Sequence, residues 1–190
     1  MKSFKKVLAY ALAATLALGS CTSVLAAAPK SPVNPPATRY EKLSNATATG
    51  KSGSVAKVYT TKGGNAGINT VKNAKSVTVP STVTVNGKPY NVVVISASAF
   101  SKAKKATKIT ISKPARTITF KKNAFKGCGK NLKTVTIKIT KKSQLKAQKN
   151  AFKALKKSVV IKVGKNTSAK ELRKIRRALK NAGFKGKVTK

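Results

Sequence analysis

The feature that most constrains the fold is an internal repeat in the second half of the chain. The pair Ala-Phe occurs three times, and its phenylalanines, Phe100, Phe125 and Phe152, stand at nearly equal intervals. Each pair is followed by two apolar residues with one polar residue between them, which is the alternation of a half-buried strand. These apolar pairs are Ile109/Ile111, Val135/Ile137 and Ile161/Val163, and Val77/Val79 is an earlier one without its own Ala-Phe.

A second, weaker alternation stands just before each Ala-Phe pair, at Val93/Ile95, Ile118/Phe120 and Leu145/Ala147. Each unit thus has two short extended segments and a corner that carries phenylalanine. Such a unit cannot bury its own apolar face, but copies stacked at ~4.8 Å per strand bury it against one another. The sequence predicts a solenoid over residues 54–165 with about three to four coils, parallel strands and the three phenylalanines in one internal column.

Both ends of the repeat carry signals for caps. Alternating valines around Asn86-Gly87 predict a β-hairpin over residues 81–95, with residues 55–59 as an extra strand. Residues 166–190 predict a capping helix and a basic tail. Ser168 and Glu171 have the spacing of a capping box, and Gly183 with Phe184 predicts a Schellman closure. The expected fold class is an α/β solenoid with an N-terminal hairpin cap and a C-terminal helix cap.

The composition excludes most catalytic chemistry. Lys and Arg number 42 against two acidic residues, Glu41 and Glu171, and there is no histidine, so the formal net charge is +40. Paired carboxylates, a histidine-centred triad and an oxygen-ligand metal site all lack their residues. The two cysteines, Cys21 and Cys128, are too few for zinc. We therefore expect no enzyme and no cofactor.

The segment from position 1 to position 26 has the three parts of a secretory signal peptide: lysines, an apolar run and a small-residue end. Cleavage after Ala26 fits the sequence around it, whereas Leu18–Cys21 also resembles a lipobox that would make Cys21 a lipidated N-terminus. Residues 27–53 are rich in Pro, Ser and Thr and predict a flexible linker. We expect a secreted, extracellular protein, either free or held at the cell surface, with no membrane span after cleavage.

The central unit resembles the BspA-type (treponemal-type) leucine-rich repeat. The matching positions are Ile109, Ile111, Ile118, Ala124, Phe125, Gly127, Cys128, Leu132, Val135 and Ile137. The resemblance covers about residues 54–165 and weakens in the first and third units. It implies a short leucine-rich-repeat superhelix and a bacterial surface protein of the adhesion or binding class. It also implies that Cys128 is a small buried residue.

Removal of Lys2, Lys5 and Lys6 with the leader still leaves a net charge of +37. Two interpretations follow: a scaffold that presents one face to a protein or glycan, and a purely electrostatic binder in which the fold only carries lysine. The expected partners are anionic cell-wall polymers such as teichoic acid, host glycosaminoglycans, or a host or bacterial surface protein. Nucleic acid is less favoured, because few arginines and no aromatic platform are available for bases. The best local basic cluster, and our set of candidate polyanion contacts, is Lys170, Arg173, Lys174, Arg176, Arg177 and Lys180.

Overall fold

The computed structural model describes residues 44–47, 54–61 and 63–190. The predicted signal peptide, including Cys21, lies outside these residues, and so does most of the predicted linker. The described elements are β1 (Ser44–Thr47), β2 (Val55–Thr61), β3 (Asn65–Val71), β4 (Ser76–Val79), β5 (Thr82–Val85), β6 (Lys88–Ile95), β7 (Lys108–Ile111), β8 (Ile118–Phe120), β9 (Thr134–Ile137), β10 (Leu145–Ala147), β11 (Val160–Lys162), α1 (Ala169–Asn181) and β12 (Lys187–Thr189).

The strands form two sheets. Sheet A is mixed and has the order β1-β2-β3-β6-β8-β10, with β5 paired to β6. Sheet B has the order β12-β11-β9-β7-β4, and all its pairs are parallel. From β6 to β11 the chain alternates between the sheets, so that each strand of one sheet is followed by a strand of the other. The architecture is therefore a pair of sheets, largely parallel, with one helix near the C-terminus.

The repeat residues lie in register between the two sheets. In sheet B one row joins Val77, Ile109, Val135, Ile161 and Val188, and the side chains from both sheets meet in one apolar core. The corner phenylalanines are fully buried: the ring centroids of Phe100 and Phe125 are 4.6 Å apart, and those of Phe125 and Phe152 are 5.2 Å apart. The Ala-Phe repeat thus packs as the internal column that its spacing predicts.

The residue before each Ala-Phe pair has a left-handed backbone. Ser98, Asn123 and Asn150 have φ values of 54°, 58° and 65°. Neighbouring corners are joined through their main chains, because the Ser98 N–H donates to the Asn123 carbonyl and the Asn123 N–H donates to the Asn150 carbonyl. Asparagine tolerates the left-handed region better than most residues, and it stands at two of these three positions. The left-handed residue turns the chain at each corner.

The N-terminal end differs from the expectation. The Asn86-Gly87 hairpin forms as β5 and β6, with positive φ at both turn residues. It does not close the structure, however, because β6 continues in parallel into β3 and β8. The end is formed instead by β3, β2 and β1, and β1 (Ser44–Thr47) falls within the range predicted as a linker. The sequence did not predict β3, because this strand contains polar residues and a glycine and lacks a regular apolar alternation.

The C-terminal helix begins as predicted at Ser168, whose side chain accepts a hydrogen bond from the Glu171 N–H. It ends in the predicted Schellman closure: Phe184 N–H donates to the Leu179 carbonyl and Gly183 N–H to the Lys180 carbonyl, with Gly183 at a φ of 89°. Within the predicted basic tail, Lys187–Thr189 forms β12 beside β11. Its one buried valine was too short a pattern to predict a strand.

Candidate polyanion-binding surface

Every strand of sheet B has an exposed lysine in it or directly beside it. Lys108 and Lys187 begin β7 and β12, Lys162 ends β11, and Lys75 and Lys133 immediately precede β4 and β9. We call these five residues the lysine ladder. β9 and β12 are also followed directly by an exposed lysine, Lys138 and Lys190. Hydrogen-bonded strands lie ~4.8 Å apart, and the register places the five ladder lysines at three different positions along the strand direction.

A row of hydroxyl groups crosses sheet B at the level of Lys162. The register places Thr78, Thr110, Thr136, Lys162 and Thr189 side by side, and the four threonines, here called the threonine row, are half-buried. The strand alternation explains the arrangement, because apolar neighbours such as Ile109 and Ile111 point into the core and leave Thr110 on the outer face. A threonine hydroxyl both donates and accepts hydrogen bonds. The face therefore combines positive charge with groups that bind polyols.

The six basic residues of the predicted helix cluster are all exposed, while Leu172, Ile175 and Leu179 on the other side of α1 are buried. Two of the six have partners within the fold. The Nε and Nη2 of Arg176 both donate to the Val188 carbonyl, and Lys174 pairs with Glu171. The guanidinium of Arg176 therefore binds β12, and contact of the cluster with a polyanion stays a prediction.

Lys174 and Arg177 line a groove with two lysines that the sequence did not single out. The groove lies between β10 and α1, has a volume of about 630 Å³, and contains Lys142 and Lys146 on the β10 side. Lys170, Arg173 and Lys180 are not part of its lining. Positions 142 and 146 come well before α1 in the chain, with β11 between them and the helix. Only the packing of the helix against β10 brings the four cations together.

Glu171 is the only carboxylate side chain in the part of the chain that the structure describes. The expected capping box is only half formed, because its carboxylate accepts hydrogen bonds from the Lys142 N–H at 2.7 Å and the Lys174 Nζ at 3.1 Å. The pKa of Glu171 lies below its ordinary value, mainly because of the bond from the Lys142 main chain and then the bond from Lys174. Glu171 therefore fastens α1 to the segment before β10.

Cys128 is half-buried and packs against the core. Burial raises the pKa of its thiol, and a hydrogen bond with Gly129 and the charge of Lys104 only partly oppose this effect. A raised pKa lowers the thiolate fraction, which is the reactive form. This geometry agrees with a packing role. The repeat residues Phe100, Ile109, Ile111, Phe125, Val135, Ile137, Phe152, Ile161 and Val163 are all at most 4% exposed.

The lysine ladder escaped the sequence reasoning because its members do not hold one fixed place in the repeat. Two precede a strand, two begin one and one ends one. A signal for the ladder is nevertheless present in the sequence. When the apolar pairs of successive units are aligned, a lysine stands at an outward or flanking position of each unit. The groove has no comparable signal, since it depends on how a helix packs.

Comparison with protein-family models, curated proteins and solved structures gave no match for this chain. The leucine-rich-repeat resemblance therefore stays a prediction. Among the described residues, no three His, Cys, Asp or Glu side chains come together as metal ligands. No described helix combines the length and apolar character needed to cross a bilayer.

Proposed function

We propose that this chain is a secreted or cell-surface binding scaffold, a short solenoid of the BspA-type leucine-rich-repeat kind, whose lysine ladder holds anionic glycan polymers. The observation that carries the proposal is that every strand of sheet B has at least one exposed lysine in it or directly beside it. A linear polymer lying across the strands would come near an ammonium group at each strand. The threonine row would form hydrogen bonds with the hydroxyl groups of the polymer.

Three structural features support a stacked-coil scaffold. Strands alternate between the two sheets along the chain, corners bond to corners, and the phenylalanines form a continuous buried column. The fold then does not depend on the ligand, because one buried apolar core holds it together. The signal peptide predicted over residues 1–26 supports a site of action outside the cell.

The chemistry of the face favours glycans over nucleic acid. No aromatic residue belongs to the ladder or the threonine row, so unpaired bases would find no stacking surface there. The ladder also contains no arginine, the residue best suited to two-pronged contacts with bases. Ammonium and hydroxyl groups suit a polyol or sugar chain that carries carboxylate, sulfate or phosphate.

A second candidate is a non-specific electrostatic binder that uses the whole surface. It is favoured by exposed lysines outside sheet B, including Lys122, Lys126 and Lys149, which follow β8 and β10 of sheet A. In that case only net charge would matter, and binding to any polyanion would fall steeply with salt.

The two candidate functions are distinguished by removing three positive charges either from the ladder or from elsewhere on the surface. One variant combines Lys108→Ala, Lys133→Ala and Lys162→Ala in the ladder, and the matched control combines Lys122→Ala, Lys126→Ala and Lys149→Ala. Elution from immobilised heparin and from teichoic acid is measured across a NaCl gradient, with DNA as a third matrix. We expect the ladder variant to elute at clearly lower salt than the control on both glycan matrices. Equal losses in the two variants would replace the proposal with the non-specific one.

A further inference from the structure

The groove between β10 and α1 exists because a helix stands where the next strand of sheet A would be. β10 is the last strand of sheet A, and α1 runs beside it, from Glu171 next to Lys142 to Ala182 next to Phe152. The Phe152 N–H donates to the Ala182 carbonyl, as the Phe100 N–H does to the Ala124 carbonyl. A helix is wider than a strand and cannot pair with a sheet edge, so space remains along β10.

The walls and the floor of this space differ in chemistry. Lys142 and Lys146 on one side and Lys174 and Arg177 on the other supply four positive charges. The floor includes Leu145, Ala147 and Ala178, which are apolar. Ala147 and Ala178 are half-buried and give the floor its accessible apolar surface, whereas Leu145 is 1% exposed and belongs to the core beneath them.

The charges in the groove greatly exceed the acid available to neutralise them. Within the described residues the only carboxylate side chain is Glu171, and it lies against Lys174 at the end of the groove. A ligand with two or more carboxylates would therefore complement Lys142, Lys146 and Arg177. The planar guanidinium of Arg177 suits a carboxylate especially well, since it can donate two parallel hydrogen bonds.

We propose that this groove binds an extended acidic peptide segment of a partner protein, with an apolar side chain placed between its carboxylates. The carboxylates meet the cations of the two walls, and the apolar side chain covers Ala147 and Ala178. A second copy of this chain does not fit, because its surface has the same sign of charge. An anionic glycan would satisfy the walls but would leave the apolar floor without a partner.

The test uses the full mature chain and two fluorescein-labelled peptides, Glu-Glu-Leu-Glu-Glu and Glu-Glu-Gly-Glu-Glu, in fluorescence anisotropy at about 0.15 M NaCl. The groove variant combines Lys146→Ala and Arg177→Ala. The control combines Lys170→Ala and Arg173→Ala, which removes the same number of charges from α1 outside the groove. All four side chains are exposed, and circular dichroism of each variant verifies that α1 is retained.

We expect the leucine peptide to bind more tightly than the glycine peptide. We also expect the groove variant to weaken binding of the leucine peptide about tenfold, the usual effect of lost charged hydrogen bonds, and the control to weaken it far less. Equal weakening in both variants, or equal affinity for both peptides, would overturn the proposal. The proposal would also be overturned if the groove variant lost heparin binding but kept peptide binding, because the groove would then be assigned to glycans. The ladder variant should still bind the leucine peptide, so failure at one site leaves the test of the other intact.

Discussion

Arg176 holds the carbonyl of Val188 through two nitrogen atoms, Nε at 3.1 Å and Nη2 at 3.0 Å. Val188 belongs to β12, the outermost strand of sheet B. The next carbonyl, that of Thr189, accepts from Val163 on the β11 side. Successive carbonyls of a strand point in opposite directions, so the Val188 carbonyl faces away from the sheet. The helix thus occupies a main-chain group at an edge that could otherwise pair with another strand.

Arg176→Ala should lower the free energy of unfolding by about 1–2 kcal/mol, because it removes two charged hydrogen bonds to a partly buried carbonyl. Urea unfolding followed by circular dichroism measures this change. Arg173→Ala is the matched control on the same helix and should change stability by less than about 0.5 kcal/mol. Equal effects of the two substitutions would show that the contact with Val188 contributes nothing.

Phe125→Ala should be the most damaging of the corner substitutions. The ring is fully buried and lies within 4.6 Å of Phe100, 5.2 Å of Phe152 and 6.1 Å of Phe120, measured between centroids. We expect a loss of about 3–5 kcal/mol from the cavity and the lost transfer energy, whereas Phe125→Leu should cost clearly less. Denaturant unfolding gives both values, and a loss below about 1 kcal/mol for Phe125→Ala would be incompatible with the buried column.

The left-handed corner residues give a test in which alanine and glycine substitutions at the same position should differ in stability. At Asn123, with a φ of 58°, replacement by alanine adds the strain of a Cβ in this region, and we expect a cost of about 1 kcal/mol. Glycine adopts the same backbone without that strain, so Asn123→Gly should be at least as stable as Asn123→Ala. Thermal unfolding of the two variants decides the order. Greater stability of the alanine variant would contradict the backbone described for this corner.

The pH dependence of stability should be unusually simple. The chain has no histidine, so we expect a nearly constant free energy of unfolding between about pH 5 and 7. The folded pKa of Glu171 is depressed below its ordinary value of 4.5. The carboxylate therefore stabilises the folded state above that pH, and this contribution is lost as the pH falls through the lower folded pKa.

Glu171→Gln isolates this contribution, because it leaves every other titrating group in place. Urea midpoints for the wild-type chain should fall more steeply below about pH 4.5 than those of the variant. Parallel curves for the two proteins would mean that the bonds from Lys142 and Lys174 do not favour the charged carboxylate.

Mutual repulsion of the lysines should make stability depend on salt. We expect the melting temperature to rise from low salt to about 0.5 M NaCl, as the Debye length shortens. The ladder variant should show a smaller rise, because three neighbouring positive charges are missing. A melting temperature that stays level or falls would show that charge repulsion does not limit stability.

The sequence was sufficient for features that repeat or that depend on neighbouring residues. The apolar pairs gave the rows of sheet B, the Ala-Phe pairs gave the phenylalanine contacts, and Ser168 and Gly183 gave the ends of α1. Each of these features follows from residues that are close together in the sequence, so a local pattern is enough to predict it.

Features that depend on distant packing could not be predicted in this way. Nothing in the sequence near Arg176 indicates a bond to Val188, and the carboxylate of Glu171 leaves its own helix for the Lys142 main chain. β1 and β12 pair through their backbones with little apolar pattern. The groove follows from replacing a strand by a helix, which the composition of α1 does not encode.

The lysine ladder is tested most directly by following backbone amide signals in nuclear magnetic resonance while a short heparin oligosaccharide is added. We expect the largest shifts at Lys108, Lys133 and Lys162 and in the threonine row, with small shifts at the corner residues Lys126 and Lys149. Shifts of similar size at exposed lysines on every side of the molecule would contradict a docking face on sheet B.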